Sequence, residues 1–482
     1  MKKIFITSVL LLLTLVLFAQ EELKDEFEQF KKQRQQEYNN YVSERNKEFA
    51  DFLKKEWQQF QSFKGEPLPV EPKPQRPPFV QDSNLPLITG PVIDNPLPSL
   101  PEIKPVARNP RKPEVLPEEL TFLFYNTELE IPFSSRLKIK GAGYTEEQIA
   151  AYWEKMSAAP YEDFLKELQA RAQVFGLNDW GMYRLTEAVA QKLFENENDR
   201  LLFCFFMLRQ QGLDVRIGRS QEQLCLLMAF STKVYEHSYF VLEGKKYYYI
   251  GKNKLNGLYT YGKTAADKDL KQVDLHLSVP LNIGDAWKMR ELKLKKFPEI
   301  QITLPYNLAN IAFYSDMPLT DLPVYFAAPL PQKTEEAVLD YFRDIRAKYS
   351  LPEFVGILLN FVQTSFEYQT DEEQFGKEKY FYPEEVLAYP YCDCEDRAAF
   401  FARLVRNLTG LQVVGLDYPG HVATAVYFED IAVEGDALTH KGLHYVICDP
   451  TYINASVGME MPQYQETKPE IVEFEDGVIA IK

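Results

Sequence analysis

Three residues near the C-terminus have the types and the order of a nucleophilic thiol site. Cys394, His421 and Asp449 are separated by 27 and 28 residues. The sequence after Cys394 repeats apolar residues with helical spacing until Gly410, which predicts a helix that begins at the cysteine. A thiol at a helix N-terminus lies in the positive end of the helix dipole, which favours the nucleophilic thiolate.

The histidine and the aspartate are predicted at strand ends. His421 opens an apolar run that continues to Tyr427, and Asp449 follows an apolar run from Leu443 to Cys448. A thiol, an imidazole and a carboxylate brought together in this way are a nucleophile, its base and the group that orients the base. The sequence therefore predicts a catalytic triad of Cys394, His421 and Asp449.

The residues around the triad resemble the transglutaminase-like cysteine hydrolase superfamily. The run Asp393-Cys-Glu-Asp is especially similar to the bacterial transglutaminase-like cysteine protease branch. The resemblance covers about residues 361–452 and says nothing direct about the first 330 residues. The positions that match the superfamily pattern are Cys394, Asp396 and Ala398 at the helix start, His421, and Asp449, Pro450 and Thr451.

This resemblance implies a papain-like C-terminal domain that attacks amide bonds through a thioester and needs no cofactor or metal. The backbone N–H of Cys394 and the side chain of Gln363 are the candidate oxyanion donors. Hydrolysis and transfer to a lysine amine both stay open, and the acidic composition favours hydrolysis. The chain departs from the usual pattern at Tyr391 and Cys392, which replace a small glycine, and at Val422, where many relatives carry an aromatic residue.

Other interpretations of the same residues also stay open. Cys392 and Cys448 could form a disulfide beside the site, and a zinc site is the second alternative, with Cys392, Cys394, His421 and His444 as ligands. The triad could also be inactive, which would leave an envelope scaffold or binding protein with a retained fold.

Composition excludes one class of partner. The chain has 482 residues and a formal net charge of -16, from 54 basic and 70 acidic residues, so it offers no basic surface for nucleic acid. A protein or peptide is the expected substrate. The five cysteines are too few for a disulfide-rich scaffold.

The N-terminal residues predict export. Residues 1–20 have the basic, apolar and small-residue parts of a signal peptide, which places the protein in the periplasm or at the cell surface. Residues 21–64 predict an amphipathic helix with an eleven-residue aromatic repeat, suited to covering its own domain, to self-association or to envelope attachment. The repeat consists of Phe27, Phe30, Tyr38, Tyr41, Phe49, Phe52, Phe60 and Phe63.

The fold class expected from the whole chain is α+β. Residues 65–117 hold 15 of the 31 prolines and predict an extended linker. Residues 118–331 predict a mixed α+β domain, and residues 332–482 the transglutaminase-like domain. Within residues 118–331 the predicted helices are 146–156, 161–175 and 180–194, and the predicted strands are 120–125, 129–133, 245–250, 291–304 and 311–314.

The middle domain contains a segment whose sequence is similar to that of the helix predicted to begin at Cys394. The residues after Glu197 repeat the pattern that follows Cys394, which suggests a degenerate transglutaminase-like unit at about residues 160–260. In this alignment Glu197 stands in place of the nucleophile, and His237 would be the remnant of the base.

Overall fold

We describe a computed structural model of the chain. It describes residues 118–474, with gaps at 142, 252–254, 256, 263–268, 294–300 and 430, and before them residues 33–34, 36, 39–40, 42–54 and 57–60. The predicted signal peptide and the proline-rich linker lie outside the described residues. Within the described part, no helix is both long enough and apolar enough to cross a membrane.

The structure is mixed α+β, as the sequence predicted, with 41% helix and 25% strand. The helices are α1 (42–53), α2 (Glu146–Ser157), α3 (Tyr161–Phe175), α4 (Asp179–Leu193), α5 (Glu197–Gln210), α6 (Leu308–Asp316), α7 (Leu322–Ala327), α8 (Gln332–Arg346), α9 (Leu351–Ser365), α10 (Asp371–Phe375), α11 (Glu385–Ala388) and α12 (Cys394–Thr409).

The strands occur mostly in blocks between groups of these helices. They are β1 (Gln58–Phe60), β2 (Glu118–Phe124), β3 (Thr127–Phe133), β4 (Val215–Ser220), β5 (Gln223–Met228), β6 (Tyr239–Leu242), β7 (Lys245–Tyr249), β8 (Leu258–Thr260), β9 (Trp287–Lys293), β10 (Gln301–Asn307), β11 (Glu367–Tyr368), β12 (Tyr391–Cys392), β13 (Gln412–Tyr418), β14 (His421–Tyr427), β15 (Ala437–His440), β16 (Leu443–Cys448) and β17 (Glu470–Val472).

Two parts of the chain have the same topology. In the first unit, α5 leads into strands ordered β8-β4-β5-β7-β6, with β1 added beyond β8. In the second unit, α12 leads into strands ordered β17-β13-β14-β16-β15. Apart from β1, each strand of one sheet has a counterpart at the same place in the other, and every pairing is antiparallel. A helix followed by five strands in one order, twice in a chain, indicates an internal repeat.

The apolar core does not divide between the two units. One continuous cluster of buried side chains runs from Phe49 to Val472. The boundary predicted at residue 332 falls between α7 and α8, yet α7 packs against α12 of the second unit. Arg403 on α12 is buried and donates to the carbonyl of Ala327 at the end of α7.

The N-terminal aromatic residues pack inside the molecule. Phe49 is 3% exposed, and its ring lies 4.5 Å from Trp153 and 6.0 Å from Tyr261. Phe52 packs on Tyr261 as well. Of the three uses predicted for this helix, these contacts favour covering its own domain. The predicted helix to residue 64 is too long, because Gln58–Phe60 form a strand paired with β8.

The strand predicted at 311–314 was wrong. These residues lie in α6, which the Asn307 side chain caps by accepting from the Ala309 N–H at 2.9 Å. A four-residue apolar run fits a buried helix as well as a strand, and the cap decides between them. Helix α3 begins and ends where predicted, as do strands β14 and β16.

Candidate functional site

The helix that carries the predicted nucleophile begins at Cys394 because of a capping box. The Asp393 side chain accepts from the Asp396 N–H, and the Asp396 carboxylate accepts from the Asp393 N–H at 3.2 Å. The other Asp396 oxygen accepts from the N–H of Phe381 at 2.8 Å, which fixes the preceding loop to the helix. Asp396 is one of the positions that match the superfamily pattern. In the structure its carboxylate fixes both the helix start and the preceding loop.

A tight hairpin positions His421. The histidine pairs with Tyr418 across the turn formed by Pro419 and Gly420, and Gly420 has a φ of +75°, a left-handed conformation that glycine adopts without steric cost. His421 is 2% exposed, and its Nε2 lies 2.8 Å from Oδ2 of Asp449. The structure thus brings the predicted base and its orienting carboxylate together.

Asp449 is itself held by the backbone that follows it. Its Oδ1 accepts from the N–H groups of Thr451 and Tyr452 at 2.9 and 3.1 Å, so Oδ2 is left to face the imidazole. This arrangement explains why a turn begins directly after β16. Aspartate favours such turns because its short side chain can accept from the backbone N–H two residues on.

The ion pair changes the protonation of His421. Burial alone would lower its pKa, but the Asp449 carboxylate and, to a smaller extent, the Cys394 side chain raise the pKa to about 10. The imidazole is therefore charged at neutral pH. A charged imidazole next to a thiol stabilises the thiolate electrostatically, as in a cysteine–histidine ion pair.

The Cys394 thiol lies beside two side chains, the His421 imidazole and the Glu395 carboxylate. It lies near enough to the imidazole to raise the pKa of His421, through a side-chain hydrogen bond and through its charge. The S–H also lies within donating distance of Oε2 of Glu395, at 3.1 Å. Cys394 and Glu395 are 1% and 3% exposed. The thiol is therefore closed to solvent in this structure, and its proton is directed to the carboxylate.

Gln363 lies near the triad, but its side-chain amide does not have the role of oxyanion donor that the sequence predicts. Its Nε2 donates to the backbone carbonyls of Asp449 and Ala455 at 3.0 and 3.1 Å. Both N–H groups of the amide are used, so in this structure Gln363 is not an oxyanion donor. It fixes the loop that carries Asp449, which makes it a positioning residue.

An aromatic cover over the imidazole was not predicted. The ring of Tyr464 stacks on His421 with centroids 5.2 Å apart and an angle of 15°, and it also packs on Tyr418 at 4.8 Å. Tyr464 lies in the irregular segment between β16 and β17 and is 5% exposed. Nothing in the local sequence pattern distinguishes it from other tyrosines, because only the fold brings it over the histidine.

Two alternative interpretations of the cysteines were a disulfide and a zinc site. Cys392 and Cys448 are both free, so the disulfide is not formed in this structure. Within the described residues, the clusters close enough to share a cation contain only carboxylates, and the four zinc ligands considered above do not form one. The clusters are Asp371 with Asp393 and Asp396, and Asp371 with Glu378 and Glu395.

The first unit shows what stands at the corresponding positions. Glu197 opens α5 as Cys394 opens α12, and Gln223 opens β5 after a two-residue turn as His421 opens β14. Nε2 of Gln223 donates to Glu197 at 3.2 Å. The strand that corresponds to β16 ends at Tyr249 and is followed by Ile250 and Gly251, neither of which is acidic.

The first unit therefore has neither a thiol nor a base at these positions. His237 precedes β6, on a different part of the sheet, so the assignment of His237 as the remnant of the base was wrong. Asp199 does keep the role of Asp396: it is the third helical residue, is buried, and accepts a backbone N–H from an earlier loop, that of Gly141.

Comparison with known proteins adds no relative. No family model, curated protein or solved structure matches the chain.

Proposed function

We propose that this protein is an exported thiol hydrolase of transglutaminase-like type that cleaves amide bonds in proteins or peptides. The observation that carries the proposal is His421 placed between the thiol of Cys394 and the carboxylate of Asp449, with the thiol on the first residue of a helix. The topology of the second unit, one helix packed on an antiparallel sheet, is consistent with a papain-like core.

The chemistry follows from these three groups. The Cys394 thiolate adds to the amide carbonyl, and the backbone N–H of Cys394 at the helix start supports the negative oxygen. The His421 imidazolium gives its proton to the departing amine as the C–N bond breaks, which leaves a thioester. Water then loses a proton to His421 and adds to the thioester, and cleavage of the C–S bond releases the acid and restores the thiolate beside the imidazolium.

One observation favours the alternative of a catalytically inactive scaffold. All three triad residues are at most 2% exposed, so a substrate reaches the sulfur only after part of the structure moves. The Glu395 carboxylate also accepts the S–H in the closed arrangement. The hydrolase proposal therefore requires a second, open arrangement.

Cleavage of a peptide library separates the two functions. The mature protein is incubated with the library, and new termini are identified by mass spectrometry, with Cys394→Ala and Cys392→Ala as a matched pair of variants. The hydrolase produces new termini that disappear in Cys394→Ala and persist in Cys392→Ala. Identical product lists from the wild type and Cys394→Ala would instead support the scaffold.

A further inference from the structure

A cleft lies between the two units, at the position in the first unit where the second unit has its triad. It has a volume of about 720 Å³, within the range of roughly 300 to 1,000 Å³ typical of ligand sites. Glu197 and Gly251, the counterparts of the nucleophile and of the orienting acid, both line it.

The walls of this inter-unit cleft are rich in aromatic side chains. Trp180 and Tyr382 are two of them, and both are less than 4% exposed. The other tyrosines of the lining are Tyr183, Tyr235, Tyr249, Tyr314, Tyr325, Tyr380 and Tyr389.

The charges that line the cleft favour a cation. Arg184 is neutralised by Glu187 and Asp316, and Lys379 by Glu385. Two further carboxylates, those of Glu197 and Glu236, are exposed and have no ion-pair partner among the described residues. A single exposed lysine, Lys377, opposes them. The net charge of the groups that line the cleft is therefore negative, and the net charge of the whole chain is negative as well.

The aromatic wall already holds one ammonium group. Nζ of Lys379 lies 4.8 Å from the ring centre of Tyr389 and 5.5 Å from that of Phe375, and both rings line the cleft. Ring faces attract cations because of their quadrupole, and the attraction grows when the cation is removed from water. Tyrosine rings beside unpaired carboxylates are therefore suited to a lysine or arginine side chain.

The cleft also lies close to the thiol of the second unit. Glu378 lines the cleft, and its carboxylate oxygen is within 4.8 Å of a Glu395 oxygen. Glu395 in turn accepts the S–H of Cys394 at 3.1 Å. A chain bound in the cleft is thus separated from the sulfur by two carboxylates.

We infer that the inter-unit cleft binds a polypeptide segment through a lysine or arginine side chain, with Glu197 and Glu236 as the acidic contacts. The inference rests on the proposed function in one respect, because it takes the bound segment to be part of the polypeptide that the thiol cleaves. The first unit then supplies specificity through contacts remote from the bond that is cleaved.

Binding without turnover tests the inference. The full chain with Cys394→Ala is titrated against a fluorescein-labelled Gly/Ser decapeptide with one central lysine, and against the same peptide with norleucine, by fluorescence anisotropy. We expect saturable binding that is about tenfold tighter for the lysine peptide, a difference of about 1.4 kcal/mol. When Glu197→Gln and Glu236→Gln are both introduced into the Cys394→Ala protein, the preference for the lysine peptide should disappear. The affinity for the norleucine peptide should stay unchanged.

The control is a matched pair of exposed glutamates outside the cleft, Glu147→Gln and Glu167→Gln, which should leave both affinities unchanged. Equal affinity for the two peptides, no saturable binding, or a preference that survives in the cleft variant would overturn the inference. Because the assay uses protein without the thiol, a failure here is distinct from a failure of cleavage by the wild type.

Discussion

At the scale of single residues, the site depends on how one carboxylate changes one imidazole. Asp449 is 2.8 Å from His421 inside the protein, and the ion pair raises the pKa of the histidine to about 10 against the loss of hydration. The charge on His421 therefore depends on Asp449. Replacing the carboxylate by an amide removes this attraction, so that burial, which lowers the pKa of His421, is opposed only by the smaller influence of Cys394.

Stability should depend on pH through this pair. A group whose pKa is raised by folding contributes stability that is complete below its unfolded value, near 6.5, and is lost as the pH rises to about 10. We expect the urea midpoint of the wild type to fall between these values. In Asp449→Asn the fall should be largely absent, and a wild-type midpoint that is constant over this interval would contradict the ion pair.

Glu395 holds the thiol in the closed arrangement. Its carboxylate accepts the S–H at 3.1 Å, and this hydrogen bond must break before the sulfur attacks. We expect Glu395→Gln to react with iodoacetamide at Cys394 several times faster at pH 7, because a neutral amide accepts the S–H more weakly than a carboxylate does. Glu372→Gln on the nearby helix α10 is the control, and an unchanged rate in Glu395→Gln would exclude this influence.

At the scale of elements, the segment between β16 and β17 covers the site through Tyr464. We expect Tyr464→Ala to lower the free energy of unfolding by about 3 kcal/mol, typical of a truncated buried aromatic, and to increase iodoacetamide labelling of Cys394. Tyr464→Phe keeps the stacked ring and should label at the wild-type rate. If the alanine variant is destabilised but labels no faster, the segment does not close the site.

The N-terminal helix gives a second test at this scale. Phe49 packs against Trp153 and Tyr261, and the Arg209 guanidinium lies 4.6 Å from its ring centre. Phe49→Ala should cost about 3 kcal/mol of stability and leave the sedimentation coefficient unchanged, whereas Glu48→Ala on the exposed face should change neither. Loss of an oligomer in Phe49→Ala would instead favour the self-association predicted as an alternative.

The elements also show how far sequence reasoning extends. The positions of α12, β14 and β16 follow from capping residues, hairpin chemistry and apolar spacing, which are local, and these three elements carry the triad. The contacts of Gln363 and Tyr464 depend on residues 86 and 43 positions away in the chain, at Asp449 and His421. No local pattern encodes such contacts. The same reason explains why the sequence pattern does not identify Gln223 as the counterpart of His421: the matching position depends on strand register, which only the sheet reveals.

At the scale of the whole molecule, the segments on the two sides of residue 332 depend on each other. Glu384 is buried in the second half of the chain, and its carboxylate accepts from the Asn307 N–H at 2.7 Å and from the Asn310 side chain at 3.1 Å. Burial raises the pKa of Glu384 to about 8 even with these contacts. Residues on both sides of position 332 are thus needed to satisfy one buried group.

A fragment that begins at Gln332 should therefore fail to fold. It loses the Ala327 carbonyl that accepts from Arg403 and the two asparagines that contact Glu384, and buried groups left without partners cost about 1 to 3 kcal/mol each. Circular dichroism and urea titration measure the outcome. A cooperative transition with native-like helix content would show that the second unit is autonomous.

Activation of Cys394 by His421 is the central claim, and site-resolved alkylation tests it most directly. All five cysteines are free and at most 2% exposed, so access is matched. Burial raises the pKa of Cys204, Cys225, Cys392 and Cys448, which keeps these four as unreactive thiols. With iodoacetamide at pH 7, the account predicts that Cys394 is alkylated at least about tenfold faster than any other cysteine and that His421→Gln removes the difference. Equal rates at all five cysteines, or a fast rate at Cys394 that survives in His421→Gln, would contradict it.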